Sequence, residues 1–304
     1  MDTAPAPSAR AAYRGRFAPT PSGPLHLGSL VTALASYLAA RHAGGSWLLR
    51  IDDIDGPRCR PEHADTILKQ LELHGLHWDE TVRYQSRHEL DYQAAFEQLH
   101  KQGLCYRCIC TRAQLAEISP AGIDGPVYPG ICRDAAHQQA DSAWRFRLPD
   151  GRIMLDDQLH GRIERDLVDD IGDFVIRRAD GRYGYQLASV VDEQQQGITD
   201  LVRGADLIGS SLRQKYLMQH FGIPVPNFLH IPVLLDSKGY KLSKQNHATP
   251  INASSAAQNL IRGLDLLGQA PFAADWHGRV DEILMRAVRN WNPALIPKRL
   301  NLPG

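Results

Sequence analysis

The sequence predicts an α/β protein. A doubly wound parallel sheet carries an inserted α+β module, and a short helical segment follows. Three observations support this. The first hundred residues alternate strand, helix, strand, helix, helix, the rhythm of parallel strands joined by crossover helices. The alternation breaks over 104–184, where four of the five cysteines and a Gly/Pro-rich loop fall. It resumes over 185–250 and gives way to helical periodicity over 251–304.

Taken in order, YRGRFAP (13–19) is a short strand stopped at Pro19. LGSLVTALASYLAARHA (27–43) puts Leu27, Leu30, Leu34 and Leu38 on or near one helical face. GSWLLRID (45–52) reads as a buried strand. PEHADTILKQLELHG (61–75) opens on proline and closes on glycine, a helix start and stop. HELDYQAAFEQLHKQG (88–103) repeats the helical pattern. WRFRL, GRIMLDD, GRIERD and DFVIRR are strand-like pieces of the module. YGYQLASVVDE and ITDLVRG restart the alternation, DLIGSSLRQKYLMQHFG (206–222) is a helix, and NFLHIPVLLD (227–236) is an apolar strand. Two helices are expected after about residue 252. Residues 1–12 are an Ala/Pro-rich tail expected to be disordered, leaving 13–103 and 185–250 as the two halves of the main domain.

Composition excludes more than it assigns. Lys+Arg and Asp+Glu are 34 each, so there is no global basic footprint for nucleic acid. From Arg279 onward, five basic residues face only Asp281 and Glu282, which a solvated helix face also explains. No apolar run reaches the ~20 residues of a membrane span, and the first dozen residues lack the apolar stretch of a secretory signal. The clustered cysteines make a poor disulfide framework and a better metal cluster in a reducing compartment. A cytoplasmic, monomeric protein is expected.

Chemistry gathers at two turns. In RFAPTPSGPLHLGSL, prolines stiffen the approach to a helix whose first N–H groups point at the crevice of a doubly wound sheet, a favourable place for phosphates. His26 is placed to donate to a phosphate oxygen, and Gly28 lets a flat ring lie against the backbone. A stiff strand-to-helix connector explains the same residues. KLSKQNHA (241–248) places Lys241 and Lys244 after the apolar strand. Alone they are surface lysines; beside a phosphate site their ammonium groups follow charge onto a departing pyrophosphate.

Together, HLG and KLSK resemble the HIGH and KMSKS signatures of class I aminoacyl-tRNA synthetases. RFAPTPSGPLHLGSL, LLRIDDIDGPR, YQLASVVDE, ITDLVRGADL and KLSKQN run in the order seen in glutamyl-tRNA synthetases, over roughly 14–250. The resemblance implies a Rossmann-like class I catalytic domain in two halves, and ATP with Mg²⁺ held by His26, Gly28 and Lys244, with Lys241 assisting catalysis. It implies an L-glutamate pocket from Arg16, Phe17, Ala18, Pro19, Thr20, Asp52, Tyr185 and Arg203. Arg16 and the Tyr185 hydroxyl would hold the side-chain carboxylate, Arg203 the α-carboxylate region, and Asp52 the ammonium. The family usually has RIED where this chain has RIDD, so Asp52 is one methylene shorter.

Cys108-x-Cys110 with a third thiol at Cys132 in a Gly/Pro loop favours a metal over free thiols. The resemblance makes the metal Zn²⁺ and Tyr128 the fourth ligand; Cys105 is the rival. Sixty residues follow Lys244, too few for a further domain of typical size. The implied activity is that of the shortened relatives of glutamyl-tRNA synthetases. These activate glutamate without tRNA and attach it to queuosine in the anticodon loop of tRNA(Asp). The alternatives are charging of tRNA(Glu) at its 3′ end, or a non-catalytic zinc-containing tRNA-binding protein.

Overall fold

The computed structural model describes residues 12–242, 249–269 and 278–304. Lys244 lies outside the described residues, as does the expected 1–12 tail apart from Ala12.

β1 (Arg14–Phe17) leads into α1 (Leu27–His42) and back to β2 (Ser46–Ile51), which pairs parallel with β1 from Arg14↔Ser46 to Phe17↔Leu49. α2 (Pro61–Leu73) begins with proline at its first turn, where no N–H partner is lost. It crosses to β3 (Arg83–Tyr84), parallel to β2, and α3 (Glu89–Lys101) follows. The middle of the chain holds β4 (Cys105–Cys108), α4 (Arg112–Ile118) and a small hairpin of β5 (Ala121–Gly122) and β6 (Gly125–Pro126). Then come β7 (Ala143–Phe146), β8 (Arg152–Asp157), β9 (Gly161–Asp166) and β10 (Phe174–Arg177).

α5 (Tyr185–Gln195), β11 (Asp200–Gly204), α6 (Ile208–Phe221) and β12 (Asn227–Ile231) resume the alternation. Gly222 ends α6 in the left-handed conformation, at φ 67°. β11 and β12 are parallel, with Arg203 opposite His230. Pro232 cannot donate to a ladder, and the single strand expected over 227–236 becomes β12 and β13 (Val233–Leu235). α7 (Ala256–Leu266) and α8 (Val280–Asn290) are the two expected helices. β14 (Asn301–Pro303) then pairs parallel with β13. A purely helical reading of 251–304 misses β14, because three residues carry no period.

The two halves of the main domain meet along β1 and β11. There Thr199 N donates to Arg14 O (3.0 Å) and Arg14 N donates to Thr199 Oγ1 (2.8 Å). Strand order reverses at this junction, so the crevice for a ligand opens at the carboxyl ends of β1, β2 and β11. Apart from the β5–β6 hairpin, the 104–184 segment divides between two sheets. β10, β7 and β4 form an antiparallel sheet in that order, while the β8–β9 hairpin extends the main sheet beyond β12 through Phe228↔Asp157.

Helices cover both faces. α1 is buried nearly all round, because it lies between β1, β2 and β11 on one side and α7 and α8 on the other. On β2 the alternation of a strand sends Trp47, Leu49 and Ile51 into the α1 core and Leu48 into the core of α3, α5 and α6. Arg50 continues the Leu48 face, so its guanidinium lies among α5 acids.

Candidate active site

The proline-rich turn is tied to its surroundings by backbone bonds. Asp52 N donates to Pro19 O (3.1 Å) and Arg60 N to Pro21 O (3.1 Å), joining the turn to the loop after β2. Leu25 N donates to the buried Gln70 Oε1 on α2 (2.7 Å). His26 then caps α1: its Nδ1 accepts from Ser29 N (3.3 Å), and its Nε2 lies 3.0 Å from Ser29 Oγ.

The late signature returns to the same place. His26 forms an antiparallel bridge with Pro250, and Ile251 N donates to Leu25 O (2.9 Å). Leu242 N donates to Leu234 O (2.7 Å), and a Cβ on Gly28 would meet the Leu234 Cβ at 3.8 Å. Both described flanks of the KLSK segment, which holds Lys244, therefore border the start of α1. Lys241 pairs with Asp206, just ahead of α6.

Beneath this edge lies a buried charge network. Arg16, 5 % exposed, donates from Nε (3.0 Å) and Nη2 (2.8 Å) to Glu193 Oε1 on α5. Arg50, fully buried, donates from Nε to Asp52 Oδ1 (2.7 Å), and its Nη1 lies 3.4 Å from Glu193. Asp192 accepts from Arg83 Nε (2.7 Å), Gln85 Nε2 (2.7 Å) and the Tyr92 hydroxyl (3.0 Å). Arg203, 2 % exposed, differs from the other three arginines. Its Nη1 donates to Gln214 Oε1 (2.7 Å), but Nε and Nη2 are buried without a hydrogen-bond partner among the described residues. Unbonded buried donors carry a desolvation cost that an arriving acceptor removes.

The ionisation of these groups follows from their neighbours. Burial pushes Arg203 down to about 10; Tyr185 and Glu193 pull it up, while Arg16 and Arg50 lower it further. Burial raises Asp52 and outweighs its bond to Arg50. Burial also works against Glu193, but the guanidiniums of Arg16, Arg50 and Arg203 hold its carboxyl below the ordinary value.

A cavity of about 1000 Å³ opens over the network, lined at this end by Thr20, Asp52, Gln85 and Tyr185. Phe17 turns the other way, since it follows Arg16 on a strand. Its ring stacks on Trp47 in the α1 core (centroids 6.5 Å apart), so only its backbone is on the site side. Motif reading missed Arg50, Asp192, Glu193 and Gln214. An available signal was the acidic pair Asp192–Glu193 on a helix with Leu187, Val190 and Val191 buried: buried acids require cationic partners.

The other end of the cavity reaches the cysteines, through Cys110, Tyr128 and Arg145. Sγ atoms of Cys108, Cys110 and Cys132 all lie within 4.8 Å of one another. The Tyr128 hydroxyl stands 3.5 Å from Cys108 Sγ and 3.8 Å from Cys110 Sγ, and accepts from Cys132 N (2.8 Å). Three thiols and a phenol oxygen around one centre fit a tetrahedral zinc site. Arg145 lies over the Tyr128 ring at 3.8 Å. Burial opposes ionisation of Cys108, yet its hydrogen bonds with Tyr128 and Arg145 hold its thiol below the ordinary value. Cys105, three residues before Cys108 on β4, packs against the α3–α5–α6 core, where burial pushes its thiol up to about 12.

Comparison with known proteins gives the family. The family described as tRNA synthetases class I (E and Q), catalytic domain, matches residues 12–272. The glutamyl-Q tRNA(Asp) synthetase of Chromobacterium violaceum is 48% identical, covering 94% of this chain and 96% of its own. That of Pseudomonas aeruginosa strain PAO1 is 46% identical, covering 96% and 97%. Among solved structures, a glutamate tRNA ligase from Elizabethkingia meningosepticum, in complex with its amino acid, superposes with a TM-score of 0.75 at 25% identity. The match covers 96% of this chain and 67% of that one. Matched along nearly its whole length, the chain belongs to the class I tRNA synthetases of the glutamyl and glutaminyl type, in the glutamyl-Q tRNA(Asp) synthetase group.

Proposed function

We propose that this chain activates L-glutamate with ATP and transfers the glutamyl group to queuosine in tRNA(Asp). The carrying observation is the buried Arg203 fork, whose Nε and Nη2 have no hydrogen-bond partner among the described residues, beside Arg16, Glu193 and Tyr185. A substrate with two carboxylates and one ammonium suits that set. Its carboxylates fall to Arg16, Arg203 and the Tyr185 hydroxyl, and its ammonium to Asp52.

In the first step an oxygen of the α-carboxylate attacks the α-phosphorus of ATP. The bond to the bridging oxygen of the β-phosphate breaks, leaving glutamyl-adenylate and pyrophosphate. The protein supplies placement and charge stabilisation. His26 and the first N–H groups of α1 hold the phosphates, Gly28 leaves room for the base, and Lys241 and Lys244 stabilise the departing pyrophosphate. Mg²⁺ enters with ATP and offsets phosphate charge. In the second step a cyclopentenediol hydroxyl of queuosine attacks the acyl carbon, its proton passes to the departing phosphate, and the bond from acyl carbon to phosphate oxygen breaks to release AMP. Cys108, Cys110, Cys132 and Tyr128 would hold zinc, tying β4 to the loop that ends at Cys132.

The test is glutamate-dependent ATP–pyrophosphate exchange by the purified protein without tRNA, followed by nuclease mapping of labelled glutamate on tRNA(Asp). Label at the queuosine nucleotide is the expected result. Absence of exchange overturns the reading, and label at the 3′ end of tRNA(Glu) replaces it with ordinary charging.

A further inference from the structure

Behind the pocket, three buried side chains form a chain of hydrogen bonds that the mechanism above does not use. Asp157, at the end of β8, accepts from His230 N (2.9 Å) and from His230 Nδ1 (2.7 Å) through Oδ2, and from Leu159 N and His160 N through Oδ1. His230 Nε2 lies 2.6 Å from Ser211 Oγ. With Nδ1–H given to the carboxylate, Nε2 of the neutral ring is an acceptor facing the serine hydroxyl, whose one proton is shared with Leu207 O (2.9 Å) one turn back at the start of α6. Burial, with Arg203 nearby, lowers the His230 pKa and favours that neutral ring.

The order Asp–His–Ser resembles a hydrolytic triad, but it does not work as one here. Ser211 and His230 are fully buried, and neither lines the large cavity. The geometry leads elsewhere. His230 stands opposite Arg203 in the β11–β12 register. Ser211 and Gln214 are three residues apart on α6, so they share a face. Ser211 meets His230 and Gln214 meets Arg203, so two neighbouring strands are read by one helical turn.

We propose that Asp157, His230 and Ser211 are positioning residues for Arg203. They dock the first turns of α6 on β12 and thereby fix Gln214. That amide takes one nitrogen of the guanidinium and leaves Nε and Nη2 aimed at a substrate carboxylate. The inference rests on the glutamate reading of the pocket and adds the device that orients its least-paired cation. A neutral acceptor suits this task, because a carboxylate at position 214 would compete with the substrate.

The test is steady-state exchange kinetics on Ser211→Ala, Gln214→Ala, Gln214→Glu and the Ser211→Ala/Gln214→Ala double variant, with thermal melts alongside. Ser211→Ala is expected to raise the KM for glutamate about tenfold, the effect of losing one buried bond that orients a charged group. The KM for ATP and kcat should stay within about twofold. The double variant should be no worse than Gln214→Ala, since both act on one guanidinium. Gln214→Glu should exceed Gln214→Ala. An unchanged glutamate KM in Ser211→Ala, whatever the melting temperature does, overturns the proposal. So does a rise in the KM values of both substrates together. Exchange in the unaltered protein separates these outcomes from failure of the glutamate reading itself.

Discussion

The buried arginine network and the cysteine cluster lie against one cavity, lined by Asp52 and Tyr185 at one end and by Cys110 and Tyr128 at the other, but are built in opposite ways. The cluster is local: its four side chains lie between Cys108 and Tyr128–Cys132, and a hairpin and a loop bring them together. The pocket is assembled from β1, β2, α5, β11 and α6, with members from Arg16 to Gln214. A local cluster survives changes in distant packing and fails when one ligand is lost. A distributed pocket depends on the pairing of every buried charge, because removing one partner leaves another desolvated and alone.

Breaking the pocket should have the largest effect. Arg203→Ala leaves Gln214 without its donor and deprives Glu193 of one of three cations. The kcat/KM for glutamate in pyrophosphate exchange should fall about 1000-fold, the kinetic equivalent of about 4 kcal/mol for a broken buried charge contact. A loss of less than about tenfold would mean that Arg203 is not the substrate's partner.

Breaking the cluster should be milder for the first step. Cys132→Ser is expected to abolish stoichiometric zinc, read by metal analysis. If the metal tie is worth about 2 kcal/mol, the melting temperature of a chain this long should drop by about 3 °C. Exchange should change little, while transfer to tRNA falls further, since Cys110 and Tyr128 line the far wall of the cavity. Equal loss of both steps would contradict the separation of the two regions.

The smallest effect sharpens the comparison through pH. The folded-state pKa values of Glu193 and Asp157 are depressed. Their stabilisation is complete above the ordinary carboxylate pKa values and is lost as pH falls through the lower folded values. Asp52 is raised and works in the opposite sense. His230, buried and held neutral, adds a loss that begins below its ordinary value, so thermal melts should decline gently from about pH 6.5 and more steeply below about pH 4. A melting temperature that rises on acidification would show that the strain on Asp52 outweighs the pairing of the other two.

Legibility followed the same division. The helices at 27–42, 61–73 and 89–101 lie within a few residues of their periodicity and their proline or glycine boundaries. Cys108, Cys110 and Cys132 were legible because they are close along the chain; Tyr128 came only from the family resemblance, and Cys105 sits apart from the three. Arg16, Asp52, Tyr185 and Arg203 do gather at one sheet edge. Phe17 does not line the pocket, because a strand sends neighbouring side chains to opposite faces. Glu193, Gln214 and Arg50 escaped notice because each is an ordinary polar residue until packing buries it.

By itself the sequence determined the α/β alternation, the stiff turn ahead of His26 and the local set of metal-ligand candidates. Periodicity, proline geometry and short spacing act within a few turns of chain. Only the tertiary structure decided that β8 and β9 extend the main sheet and that the flanks of KLSK return to His26. It also decided that, among the described residues, Arg203 has two buried nitrogens without a hydrogen-bond partner and Arg50 only one. Those outcomes depend on which surfaces are buried together, and a guanidinium's partners are set by the elements packed around it, not by its neighbours in sequence.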